Sequence, residues 1–313
     1  MITKQINYAA AKRRTHFFDM VFYTINFIVL AFLVIVTVYP FWNTIAVSFN
    51  DDLDALKGGI TLWPRIFTWQ NYKALFTTGQ IFDAFKISVS RTILQAILSV
   101  FCTCMLAYAL SRKEFVLKKP FTFVLVVSMY ISAGLIPNYM LIKRLGLLNK
   151  YSVYIIPCII DVFNFILVRT YINGLPDSFV ESARIDGANE FKIFMSIIFP
   201  LIIPSVAMIA LFVAVNAWNS WFDTYLYTSP KPKLHSLQYV LMSFLQASQN
   251  QSNSAADANS MAVAAASGSS TAMVTPISIR ASITIIATVP ILVVYPMLQK
   301  YFVVGMTIGG VKE

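Results

Sequence analysis

Residues 176–200 read PDSFVESARIDGANEFKIFMSIIFP, a charged, turn-bearing segment set between two apolar blocks. Pro176 punctuates its start. Ser178 and Glu181 have the spacing of a capping box, so a helix is expected to begin at Ser178, with Glu181 reaching back to the cap. Gly187 suits a helix end that needs a left-handed residue. Asn189 can cap a second helix, which runs on into apolar sequence. The charges alternate in sign along Asp177, Glu181, Arg184, Asp186, Glu190 and Lys192. The segment is therefore expected to be a short helix, a bend and a second helix at a membrane surface. Its charged face either meets a polar partner or is simply solvated.

The surrounding sequence explains the membrane. Of the 313 residues, 58% are hydrophobic and 12% charged, against about 25% charged in ordinary soluble domains. So much apolar surface calls for lipid as solvent. Six apolar blocks, at residues 17–38, 85–110, 121–142, 152–172, 197–221 and 281–298, approach the roughly 20 residues that cross a hydrocarbon core. The first follows Lys12, Arg13 and Arg14. It is longer than the roughly 7–15 apolar residues of a signal peptide, so it is expected to stay as an uncleaved span. Basic residues in the N-terminal arm and in the short segment 111–120 (Arg112, Lys113, Lys118, Lys119) put both termini in the cytoplasm. The expected fold is an all-α integral membrane protein with six transmembrane helices.

Several function classes drop out. The net charge is +10, but the basic residues sit between apolar blocks and form no stripe for nucleic acid. Cys102, Cys104 and Cys158 lie in apolar segments with no zinc or disulfide spacing, and read as small hydrophobes. His16 and His235 are too far apart in sequence to suggest a metal site. Neither a His-Glu-x-x-His, a Gly-x-Ser-x-Gly nor a phosphate-cradling Gly-x-x-x-x-Gly-Lys occurs, so neither a membrane enzyme nor ATP hydrolysis by this chain is expected.

Outside the blocks, residues 48–84 form a mixed loop with Asp51, Asp52, Asp54, Trp63, Pro64 and Trp69, expected on the membrane face. Residues 234–245 suggest an interfacial helix. The small-polar tract 246–275 is too polar to build a core.

Polar residues within the blocks are functional candidates by default. Arg91 lies in the second block, with Asp161 and Asn164 in the fourth. Arg91 and Asp161 either pair to lock two helices or line a pathway. Pro157 can loosen the helix just before Asp161. Asn216, Trp218, Asn219 and Trp221 cluster in the fifth block. They read either as an interfacial aromatic belt or as a platform for sugar rings.

The spacing in the opening segment carries a resemblance. Glu181-Ser182-Ala183 is followed by three residues and Gly187, then nine residues, then Ile197-x-Phe199-Pro200. This resembles the EAA loop of ABC-importer permeases, with Ser182 for Ala and Phe199 for Leu as the departures. Ile185-Asp186-Gly187-Ala188 resembles the carbohydrate-uptake branch. Gly134-Leu-Ile-Pro137, Gly146-Leu-Leu-Asn149, the NFILVR run at 164–169 and Trp218-Asn219 resemble sugar permeases. The tail from Gln299 to Lys312 resembles the maltose-permease-like partner of a permease pair. The likeness extends to a Gram-positive subgroup tied to complex oligosaccharides.

The resemblance implies a type I ABC-importer transmembrane domain in a bacterial cytoplasmic membrane. It implies an arm, first span and outer loop over 1–84, a core permease domain over 85–300 with the coupling loop at 176–200, and a cytoplasmic tail over 301–313. Glu181, Ser182, Ala183, Arg184, Asp186 and Gly187 would couple to the ATPase. The implied partners are a second permease, two ATPase subunits that bind ATP and Mg2+, an extracellular binding protein, membrane lipid, and a sugar or oligosaccharide. No cofactor is expected in this chain. A non-sugar solute is the nearest alternative. A secondary transporter or channel is another, but it would have no use for such a cytoplasmic element.

Overall fold

The computed structural model describes residues 2–77, 79–252 and 276–310. Part of the 246–275 tract, from residue 253 on, lies outside the described residues, as do 311–313 of the tail. Among the described residues the regular secondary structure is helical, beside one isolated antiparallel bridge, Asn50 to Phe67. The chain forms two compact units, Met1–Asn71 with Ser269–Ile285, and Tyr72–Gly268 with Ile286–Glu313.

The first unit is built on α1, Ile2–Ser48. Its stretch Asp19–Ser48 is long and apolar enough to cross a membrane, and none of its most apolar window is buried by the described residues. After α1 come the short α2, Asp52–Leu56, and a loop leading to α3, Gln70–Thr77. Asp51 caps α2 by accepting from the Leu53 and Asp54 N–H groups, which satisfies donors no helix can satisfy internally.

The second unit is organised around α4, Gln80–Ser111, the other helix long and apolar enough to span. Next come α5, Lys118–Tyr130, and α6, Leu135–Arg144. Two 3₁₀ turns, Tyr151–Tyr154 and Ile156–Cys158, precede α7, Val162–Asn173. Then come α8, Ser178–Ile185, α9, Glu190–Ile193, a π-turn at Phe194–Ile198, α10, Phe199–Leu201, and α11, Ile203–Asn219. The chain ends with α12, Phe222–Tyr227, α13, Leu237–Ser252, and α14, Pro276–Gly310. Helices α4, α7 and α11 pack on one another. Their core joins Cys104, Ala107, Phe165, Val168, Phe194 and Ile209, all buried.

Several apolar blocks are not continuous helices. The third breaks at residues 131–134, where Gly134 has φ 84 and Pro137 follows. The fourth bends by 45° between Tyr151–Cys158 and Val162–Asn173, because Pro157 withholds an N–H from an α-helical ladder. Glu190–Leu201 turns off α11 by 83°. Ile202 leaves helical geometry there, at φ −94 and ψ 9, between Pro200 and Pro204. Among the described residues, helix length and composition thus give two spans, or up to four if each bent pair counts as one, rather than the six expected.

Candidate functional site

The segment 176–200 closes as its residues dictate, with one correction at its start. Ser178 is the first helical residue of α8 and not its cap. Asp177 occupies the cap position with no side-chain bond to the helix, and its carboxylate is taken by Lys113 instead. The expected capping box is therefore absent, because Asp177 already takes helical angles, φ −60 and ψ −26, and the helix starts one residue early. The far end forms as expected. The Gly187 N–H donates to the Arg184 carbonyl at 3.0 Å and the Ala188 N–H to the Ala183 carbonyl at 3.0 Å. Those two bonds, with Gly187 at φ 75, make a Schellman end. The Asn189 side chain accepts from the Lys192 N–H at 2.9 Å and so caps α9.

Helix α8 has two faces. Val180 and Ala183 are buried and join the core around α4 and α7. Glu181, Ser182, Arg184, Asp186 and Gly187 are exposed. Between those charges Ile185 is 86% exposed, and Phe179 is exposed nearby.

An ionic network fastens α8 to the end of α4. Arg184 bridges Glu114 and Glu190, the latter at 2.7 Å. The Tyr108 hydroxyl donates to Glu190 at 2.6 Å, and Arg112 lies 4.7 Å over the Tyr108 ring. The Arg184 hydrogen bond holds the Glu114 carboxyl down at about 2. Burial pushes Glu190 up, but hydrogen bonds from Tyr108 and Arg184 outweigh it and hold the carboxyl low. Lys113 and Asp177 shift each other the same way, the cation up and the carboxyl down. An open cleft of about 440 Å³ lies beside the network, between Met105, Phe115 and Phe191.

A second polar group lies inside the helix bundle. The Arg91 side chain is 1% exposed and holds Asp223, itself 23% exposed, through two nitrogens at 2.9 and 3.4 Å. Its guanidinium sits 4.6 Å over the Tyr154 ring. The Tyr154 hydroxyl bonds Thr224, Thr228 and the Leu234 carbonyl. Ser220 donates to Asp223 at 2.9 Å, and the Leu237 N–H donates to Ser88 at 2.8 Å. The group ties α4, the first 3₁₀ turn, α12 and the start of α13 together.

This arrangement overturns the expected Arg91–Asp161 pair. Asp161 is exposed and caps α7, accepting from the Asn164 N–H at 2.8 Å. The break in the fourth block exposes the first N–H groups of α7, and Asp161 satisfies one of them. Asn164 is buried, with its Oδ1 unpartnered.

The chain is 33% identical over 299 residues to the polygalacturonan/rhamnogalacturonan transport system permease protein YtcP of Bacillus subtilis (strain 168), covering 96% of this chain and 99% of that one. It belongs to the permease subunits of sugar ABC importers. A second relative of this family, the arabinooligosaccharides transport system permease protein AraQ of Halalkalibacterium halodurans, is 28% identical over 287 residues, 90% of this chain and 94% of that one. The fold matches a solved bacterial ABC transporter involved in the import of the acidic polysaccharide alginate. There the TM-score is 0.79 and the identity 24%, over 91% of this chain and 97% of that one. No protein-family model matches the chain. Like its relatives, this ABC permease is a transport subunit and not an enzyme.

In this permease the four fifth-block candidates do not share a face. Trp218 is buried, donates to the Ala287 carbonyl at 2.9 Å and meets Phe85 edge-on. Trp221 is half-buried against Phe222 and Tyr225. Asn216 and Asn219 are exposed, and Asn219 accepts from Gln238. Asp223 was missed from the sequence. The available signal was a lone carboxylate in the aromatic run Phe222–Tyr227, directly after an apolar block.

Proposed function

We propose that α8 is the element through which this permease docks on a cytoplasmic ATPase. Glu181, Ser182, Arg184, Asp186 and Gly187 form the contact face, and Ala183 sets the helix into the core. The observation that carries this reading is Ile185, a large apolar side chain left 86% exposed among charges on a helix whose opposite face is packed. Uncovered apolar groups rimmed by polar ones mark interaction surfaces. ATP and Mg2+ then belong to two ATPase subunits. A second permease completes the pathway, and an extracellular binding protein delivers the solute.

The chain crosses the membrane six times in this reading, with both termini cytoplasmic, the broken third and fourth blocks each counting as one span. The substrate class is oligosaccharides bearing uronic acids. One relative supports it, the permease named for polygalacturonan and rhamnogalacturonan transport. Asn164, Asn216 and Trp221 remain the pathway candidates, since Arg91, Asp161, Trp218 and Asn219 are each engaged in internal bonds.

The test is Ile185→Lys in the assembled importer. The chain should still insert and pair with its partner permease, while substrate-stimulated ATP hydrolysis and ATPase co-purification fall. Unchanged stimulation would remove α8 from the coupling role. Topology is read separately, in a chain without its native cysteines. Lys57→Cys should react with an impermeant reagent outside intact cells and Lys119→Cys should not; the reverse pattern would invert the assignment.

A further inference from the structure

The loop after α1 does not run on beyond the end of the helix. It folds back along the helix it has just left. The Trp42 indole donates to the Leu62 carbonyl at 2.8 Å. The Asn43 amide donates to the Ile60 carbonyl at 2.7 Å and to the Thr61 carbonyl at 3.0 Å. Trp42 and Trp63 meet edge-on at 5.7 Å.

The fold-back is fixed from within. Asn50 pairs with Phe67 in the one isolated bridge. Asn50 also donates to the Asp54 carboxylate, which receives Arg65 at 2.9 Å. Asn71 donates to the Ser48 and Asn50 carbonyls. Polar side chains thus face inward. Trp63 is 71% exposed, and Leu62, Ile66, Phe67 and Trp69 are exposed beside it.

Depth says what covers this patch. A hydrocarbon core of about 30 Å takes about 20 residues of helix. Counted from Asp19, the last charged residue of α1, that length ends near Tyr39. Trp42 then lies just beyond the core, among the headgroups. Ser48 stands about 9 Å further out at 1.5 Å per residue. Since the loop is bonded to Trp42 and Asn43, and not to the tip of the helix, Leu62 and Trp63 return to headgroup depth. Their exposed surface continues the unburied apolar surface of α1.

We propose that residues 62–69 form a membrane-interface anchor, seated in the headgroup and upper acyl region of the leaflet into which α1 emerges. Indole rings, apolar in body and polar at one edge, suit that layer. The anchor would fix the height of α1 in the bilayer, since the described residues do not bury its most apolar stretch.

The inference rests on the reading of α1 as a span, and the test separates the two. Benzoylphenylalanine is placed at Trp63, at Phe32 or at Lys57 of the importer in its own membrane. After irradiation the adducts are read by mass. Lipid adducts at Trp63 and Phe32 but not at Lys57 are the expected result. A lipid adduct at Phe32 with a binding-protein or permease crosslink at Trp63 would overturn the anchor and leave the span intact. No adduct of any kind at Trp63 beside a lipid adduct at Phe32 would also overturn it. Absence of lipid at both would refute the span, and the anchor with it.

Discussion

Arg91 and Asp223 stand 132 residues apart in sequence and 2.9 Å apart in space. Removing one partner from such a buried pair leaves a charge that nothing offsets. Asp223→Asn should therefore cost about 3 kcal/mol, seen as a lower thermal midpoint of the purified protein. Asp161→Asn should cost almost nothing, because Asn caps a helix about as well as Asp. Equal losses in the two variants would mean that Asp161 does share the Arg91 charge.

Gly187→Val isolates backbone strain in the coupling helix. A Cβ at Gly187 meets nothing within 4 Å, yet φ is +75. The whole penalty is conformational, about 1–2 kcal/mol. Substrate-stimulated ATP hydrolysis should drop while membrane insertion holds. Gly187→Asn should be milder, since Asn tolerates that region. An unaffected Gly187→Val importer would show that this helix end is not held during coupling.

Acid should undo the Glu114–Arg184 contact in a defined window. The Glu114 carboxyl lies at about 2, below its ordinary 4.5. A depressed acid stabilises the fold above its unfolded value and loses that effect as pH falls through the folded one. The difference in thermal midpoint between the native chain and Glu114→Gln should be constant above pH 4.5 and vanish towards about pH 2. A difference that grows on acidification would contradict the pairing.

Trp218→Phe distinguishes a strut from a sugar platform. The substitution keeps an aromatic ring but leaves the Ala287 carbonyl without the indole, at a cost of about 1–3 kcal/mol. Stability should fall while half-saturation for substrate stays unchanged. Weaker apparent affinity at unchanged stability would instead favour stacking on substrate.

The coupling segment was legible because its signals are local. Gly187 and Asn189 act within four residues of where they stand, and both did what their chemistry suggests. Ser178 misled because Asp177, whose carboxylate is held by Lys113 from 64 residues away, already takes helical angles and starts the helix one residue early. The partner of Arg91 was hidden for the same reason. Composition marked the apolar blocks and Pro157 flagged the bend in the fourth, but the breaks at Gly134 and Ile202 were not revealed, since lipid accepts a broken helix as readily as a straight one when neighbours satisfy its backbone. Family membership was readable because it depends on motif spacing, which survives such breaks.

Helix α4 carries Tyr108 of the ionic network near one end and Arg91 towards the other, with no proline or glycine anywhere from Gln80 to Ser111. The intervening residues measure about 26 Å at helical rise. A helix with no built-in hinge transmits displacement instead of absorbing it. A tilt of about 10° pivoting at Tyr108 would carry Arg91 sideways by about 4 Å over that length, more than the reach of its bond to Asp223. At this helix a small displacement at the Tyr108 end would therefore be magnified at Arg91, enough to part it from Asp223.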